Sequence, residues 1–278
     1  MNKHDFWENM GLAGERVLII HHDDLGFLYS QDDAFHELGF RTGSLMMPGT
    51  WVSAFSGLEG VDLGVHLTLT SEWEAPRLRP LTDGPSLRDA HGYFWPTLEE
   101  AWANASLEDA AREMKAQVES AYQLGIDVTH LDTHMGSVLR PDLAEVYVQL
   151  GRDYRLPVYL PESVAEHGID EPICSFFDEM LSGIKMPRYR LVDGYRIPPP
   201  QRTDWYLEKL SGLEPGVYHL IHHSAVPGAD LVLPDRDVRT ADYEALSDPR
   251  VREIIDSFKL LSYREIRDRL RKEPPEEG

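Results

Sequence analysis

The stretch that decides the fold is Arg16–Phe27, RVLIIHHDDLGF. Four aliphatic residues, Val17 to Ile20, run directly into His21, His22, Asp23 and Asp24, with Gly26 just beyond. A short apolar run bounded by turn residues reads as a buried strand of a parallel sheet. The ordinary reading of the two aspartates is a turn that Gly26 closes. Carboxylates and imidazoles at the end of a buried strand are costly to desolvate unless paired or metal-bound, so the same residues also read as one wall of a site.

Outward from this strand, short apolar runs alternate with amphipathic segments. GSLMMPG, VDLGVHLTLT, IDVTHLDTH, LPVYLPES, GVYHLIHHS and KLLSY read as further strands, giving about seven in all. LYSQDDAFHELGF, RPDLAEVYVQLGRDY, TDWYLEKLSGL, SDPRVREIIDSF and REIRDRL read as helices. The clearest helix is SLEDAAREMKAQVESAYQLG, which opens on a capping box of Ser106 and Asp109 and closes on Gly125. Strand–helix alternation along the whole chain predicts an α/β protein with a parallel sheet and helices outside. The expected architecture is a deformed or incomplete (β/α) TIM-like barrel in a single domain, with an open doubly wound sheet as the alternative. No glycine-rich nucleotide loop occurs to favour the latter. The barrel is expected over residues 16–270, after an N-terminal extension of residues 1–15 and before a disordered tail at 271–278. Residues 71–96 are long for a connection and read as a functional loop or lid.

The 278 residues carry a formal net charge of −21, which argues against nucleic acid or an anionic membrane as partner. No apolar stretch is long enough to span a bilayer, and the polar N-terminus lacks a signal core, so a cytoplasmic location is expected. Cys174 is the only cysteine, which excludes an internal disulfide and a thiolate metal cluster and reads as a small buried apolar residue.

Barrel sites lie at the C-terminal ends of the strands. Those ends carry His21, His22, Asp23 and Asp24; then His66; then His130, Asp132 and His134; then His219, His222 and His223. A lone histidine such as His66 reads as a hydrogen-bonded core residue. Four such ends on one rim read as a shared site. Alternation gives Asp23 and Asp24 different faces unless a turn brings both inward, and puts His130, Asp132 and His134 on one face. One carboxylate and two imidazoles suit Zn²⁺, Mn²⁺, Fe²⁺ or Co²⁺, with open positions for water and substrate. A further carboxylate as base and a histidine as acid would complete the equipment for hydrolysing an amide or ester.

The motifs also resemble a known family. VLIIHHDDLGF, LGVHLTLT, THLDTHMGS and GVYHLIHHSA, in this order, are similar to the marks of the YdjC/ChbG-like carbohydrate deacetylases, across roughly Arg16–Arg267. The resemblance implies a deformed barrel related to polysaccharide deacetylases and metal-dependent removal of an N-acetyl group from an amino sugar or chitin-type oligosaccharide. By motif it implies Asp24, His66 and His134 as ligands of one divalent ion, zinc or magnesium, with cobalt or manganese as substitutes. It implies Asp23 as general base and His223 as the acid, with His22, His130, Asp132 and His222 as supporting or substrate-facing residues. It further implies a homodimer. The sequence departs from the family pattern at His22, at Gly136 in place of a last histidine, and at His223-Ser224 in place of His-Pro. Trp73, Tyr93, Phe94 and Trp95 are candidates to stack on sugar faces, or simply to pack the loop. The competing functions are a hydrolase of another ester, amide or phosphoester, and a carbohydrate-binding protein that kept the scaffold without its chemistry.

Overall fold

The computed structural model describes residues 3–163 and 186–272; Cys174 and residues 273–278 of the expected tail lie outside them. Among the described residues the strands are β1 (Arg16–Leu25), β2 (Thr42–Leu45), β3 (Asp62–Leu67), β4 (Val128–Thr133), β5 (Arg190–Asp193), β6 (Gly216–His222) and β7 (Lys259–Leu260). All pairings are parallel, in the order β4-β3-β2-β1-β6-β5, and the two-residue β7 also pairs with β1.

Among the described residues the sheet does not close as a continuous ladder. Between β4 and β5 runs the LPVYLPES segment, expected to be a full strand. It makes only single bridges, Val158 to Leu131 of β4 and Pro161 to Tyr189 beside β5. Pro157 and Pro161 supply no N–H, so a regular ladder cannot extend through it. The result is the incomplete barrel anticipated from the sequence.

Among the described residues the helices are α1 (Lys3–Asn9), α2 (Tyr29–Leu38), α3 (Leu98–Asn104), α4 (Leu107–Gln123), α5 (Pro141–Tyr154), α6 (Arg202–Ser211), α7 (Arg236–Ser247), α8 (Pro249–Ile255) and α9 (Tyr263–Leu270). None of them is long and apolar enough to cross a membrane. The expected capping box of α4 is only half formed. Ser106 accepts from the Asp109 N–H, but the short Asp109 carboxylate turns to Ser86 and Arg112 rather than back to Ser106.

Alternation along β1 sorts its side chains cleanly. Leu18 and Ile20 face outward into a cluster with Tyr206, Leu210, Ala245 and Leu246. Val17 and Ile19 face the barrel interior with Val217, Tyr159, Tyr189 and Tyr263. The N-terminal extension forms α1, whose Phe6 and Trp7 join that interior cluster from below, and the Trp7 indole donates to the Arg188 carbonyl at 3.1 Å.

The loop 71–96 is tied down. Glu113 of α4 accepts from the Leu81 and Thr82 N–H groups, and Asp109 accepts from Ser86. Arg77 donates to Asp89 and to the Phe94 carbonyl. Phe94 is buried, the Trp95 indole donates to the Ser86 carbonyl, and the Arg77 and Arg79 guanidinium groups lie over the Tyr93 ring.

Candidate active site

The inward-facing positions continue upward from the apolar floor: His21 and Asp23 on β1, Ser44 on β2, His66 on β3, His130 and Asp132 on β4, His219 on β6 and His223 just past its end. Asp24 breaks the alternation. Its φ is +64°, and the β1–β2 register shifts between His22 and Leu25. This bulge turns a second consecutive carboxylate into the barrel, so Asp23 and Asp24 both face the same space.

Asp24 Oδ1 lies 3.0 Å from His134 Nδ1 and 3.4 Å from His66 Nε2. One ligand atom each from Asp24, His66 and His134 falls within 4.8 Å of the others, and all three residues are buried. Asp24 Oδ2 accepts from Arg239 Nη1 of α7 at 2.9 Å. Burial alone would raise the Asp24 pKa; His134 and Arg239 together hold it well below the usual carboxylate range.

Each histidine has its far nitrogen secured. His66 Nδ1 meets Asp132 Oδ1 at 2.8 Å, and Ser44 Oγ donates to Asp132 Oδ2 at 2.8 Å. That leaves His66 Nε2 aimed at Asp24. His134 follows β4 rather than ending it, and opens a short 3-10 segment, His134–Leu139, interrupted by left-handed Met135 and Gly136. Its Nε2 lies 2.6 Å from Glu72 Oε1, brought in by the 71–96 loop. Burial works against charge on both rings. The Asp132 and Asp23 carboxylates nevertheless raise His66 well above its ordinary pKa, and Glu72 and Asp24 raise His134 to about 9. A carboxylate behind each imidazole is the arrangement that fixes a metal-binding histidine. The donor set of one carboxylate oxygen and two imidazole nitrogens fits a divalent cation.

Asp23 sits beside this triad, with Oδ2 at 3.8 Å from both His66 Nε2 and His223 Nε2. Burial raises its pKa. His223 is edge-on to Tyr195, whose hydroxyl donates to Asp235, which in turn accepts from Arg239 Nε. Burial pushes His223 down to about 3, and its Nδ1 has no hydrogen-bond partner among the described residues.

The remaining expected site residues divide by face. Asp132 joins the cluster directly. His130 lies one level deeper inside the barrel, against His21. His22 and His222 lie on the opposite face of the sheet, where their rings meet at 4.4 Å and both contact Ser224. Burial lowers His22 to about 3 and holds His222 well below its ordinary value. Sequence reading gave no role to Glu72, Arg239, Ser44, Tyr195 or His21. Only His21 carried a local signal, since it shares the period-two face of Val17, Ile19 and Asp23.

The family model described as YdjC-like protein matches residues 17–257. The chain belongs to the YdjC-like family. A carbohydrate deacetylase of Thermus thermophilus is 49% identical over 267 residues, which cover 96% of this chain and 99% of that relative. A carbohydrate deacetylase of Geobacillus stearothermophilus is 31% identical over 182 residues, 63% of this chain and 71% of that one. Among solved structures, an Enterococcus faecalis protein provisionally described as a cellobiose-phosphate cleavage protein superposes with a TM-score of 0.73 at 21% identity, covering 91% of this chain and 99% of that chain. At that identity the likeness establishes a shared fold. The YdjC-like match spans every strand of the site from β1 to β6.

Proposed function

We propose that this YdjC-like chain is a metal-dependent carbohydrate deacetylase, releasing acetate from an N-acetylated amino sugar or chitin-type oligosaccharide. The observation that carries the reading is the buried Asp24–His66–His134 triad with Asp23 against it and His223 across from Asp23. The names of the Thermus and Geobacillus relatives support the substrate class.

Asp24, His66 and His134 would hold one divalent cation, zinc or magnesium, with cobalt or manganese as substitutes. Such an ion supplies a polarised water and a Lewis acid for the acetyl carbonyl. The chain's own residues do the rest. Arg239 keeps Asp24 ionised, Asp132 and Ser44 hold His66 with Nε2 toward the site, and Glu72 holds His134 with Nδ1 toward it. Asp23 takes the proton of the attacking water on Oδ2, the oxygen nearest His223. His223 is neutral at ordinary pH, so the proton it gives to the departing amine is one it must first receive. Asp23 Oδ2, 3.8 Å from His223 Nε2, is its nearest source. The amide C–N bond breaks, acetate keeps the water oxygen, and the amine leaves carrying the proton.

The test is acetate release from a panel of N-acetylated mono- and oligosaccharides with added Zn²⁺, Co²⁺ or Mg²⁺, beside an Asp24→Ala control. Release that needs metal and is lost in the control is the expected result. Bound metal with no release from any sugar would overturn the deacetylase reading in favour of another acyl substrate or a binding role.

A further inference from the structure

Beneath the triad lies a second layer of polar side chains that the reaction outlined above does not use. His21 Nδ1 is 2.6 Å from Asp23 Oδ1, and His21 Nε2 is 2.7 Å from His130 Nε2. His130 Nδ1 is 2.9 Å from Thr129 Oγ1. His21, His130 and Thr129 are fully buried. The fold makes specific room for this line. At Gly64 of β3, any Cβ would overlap the His130 ring. Tyr263 of α9 stacks on the same ring, with centroids 3.8 Å apart and planes 15° from parallel. Filling this volume would require only aliphatic side chains. Polar groups touching end to end in a dry interior instead fix one another's hydrogens and orientation.

We infer that His21, itself held by His130, is the positioning residue of Asp23. The inference rests on the reading of Asp23 as the base. His21 donates its Nδ1 hydrogen to Asp23 Oδ1 and so stops rotation of the carboxylate. Oδ2 is then the oxygen left for the reacting water, and it is Oδ2 that lies near His66 and His223. The hydrogen order follows from the contacts. The Thr129 hydroxyl donates to the Leu63 carbonyl at 3.0 Å, so its Oγ1 accepts from His130 Nδ1–H, and His130 Nε2 accepts from His21 Nε2–H. Every link has one donor and one acceptor. Because Oδ1 is already occupied, a proton taken from water lands on Oδ2, on the side of the leaving group.

The experiment uses the full chain and two readouts. Steady-state acetate release is measured for His21→Leu and His21→Asn, with zinc content determined for each. Asparagine places an amide N–H where the histidine has Nδ1–H; leucine does not. The expected result for His21→Leu is a kcat lower by about 10- to 100-fold with KM and zinc content unchanged, the scale typical of removing an orienting partner. His21→Asn recovers most of that loss. A folded, zinc-replete His21→Leu chain with wild-type kcat would overturn the inference, as would equal losses in the two variants. The second readout is the imidazole N–H spectrum of ¹⁵N-histidine-labelled protein. Exchange-protected N–H signals from His21 and His130 are expected, the former shifting in Asp23→Asn and in His130→Phe. If wild type releases no acetate from any sugar, the deacetylase reading fails, yet the spectrum still decides the geometry. A His21 signal indifferent to Asp23→Asn removes the positioning role.

Discussion

Replacing Glu72 by glutamine isolates one electrostatic link of the site. The amide keeps the reach and an acceptor oxygen for His134 Nε2 and loses only the charge. In the metal-free chain His134 is raised, against the effect of burial, from 6.5 to about 9, with Glu72 the foremost raising partner and Asp24 the next. A group raised in the folded state contributes stability that is fully present below its unfolded pKa and is lost as pH rises through the folded one. The net shift corresponds to about 3 kcal/mol, what the two carboxylates supply beyond the opposing cost of burial. Charge assistance of a single hydrogen bond is worth about 1–1.5 kcal/mol. Metal-free Glu72→Gln is therefore expected to melt about 3–5 °C below wild type near pH 6.5. That gap closes above pH 9, where His134 is neutral in both. Differential scanning calorimetry of the metal-stripped proteins from about pH 6.5 to about pH 10 checks this. A melting difference that stays constant across the range, or none at the acidic end, would refute the assignment of the His134 charge to its contact with Glu72.

Zinc affinity, measured by chelator competition, should rise by more than about tenfold per pH unit between about pH 7 and about pH 9, because the ion must displace the protons held on His134 and on His66. Asp24→Ala should abolish metal binding and turnover. It should also cost about 1–3 kcal/mol in denaturant unfolding, because Arg239 Nη1 loses its buried partner while Nε keeps Asp235. Asp23→Asn should retain stoichiometric metal while turnover falls by about 10²–10⁴. His222→Phe, on the outer face of the sheet, should alter the melting temperature and leave kcat/KM and metal content unchanged.

What the sequence disclosed follows from which physics is local. The strand–helix rhythm and the polar strand ends are period-two and period-3.6 signals, and they led to the barrel and to a shared rim of histidines and aspartates, within which the motif resemblance, not the periodicity, singled out Asp24, His66 and His134. The short strand β5 was missed because RLVD offers only four residues beside a proline-rich segment. Of the histidine pair, His22 drew attention through its departure from the family pattern. Strict alternation from Val17 places His21, not His22, beside Asp23. Asp24 defeats alternation because its left-handed backbone is a property of the bulge, which no aspartate announces. Glu72 and Arg239 reach the site from a loop and a helix 62 residues before and 215 residues after their respective partners, His134 and Asp24, so nothing nearby in the chain marks them. The loop aromatics were legible as candidates, but Phe94 and Trp95 turn out to be anchored in the loop's own packing.

The anchoring of that loop bears on how a substrate arrives. Glu113 and Asp109 hold segment 71–96 to α4 at several backbone and hydroxyl groups, and Glu72 carries that rigidity to His134. A ligand entering such a mouth need not wait for a flap to swing, and it spends little of its affinity on ordering the chain. Segment 71–96 should therefore add no saturating isomerisation step to ligand association before the chemistry.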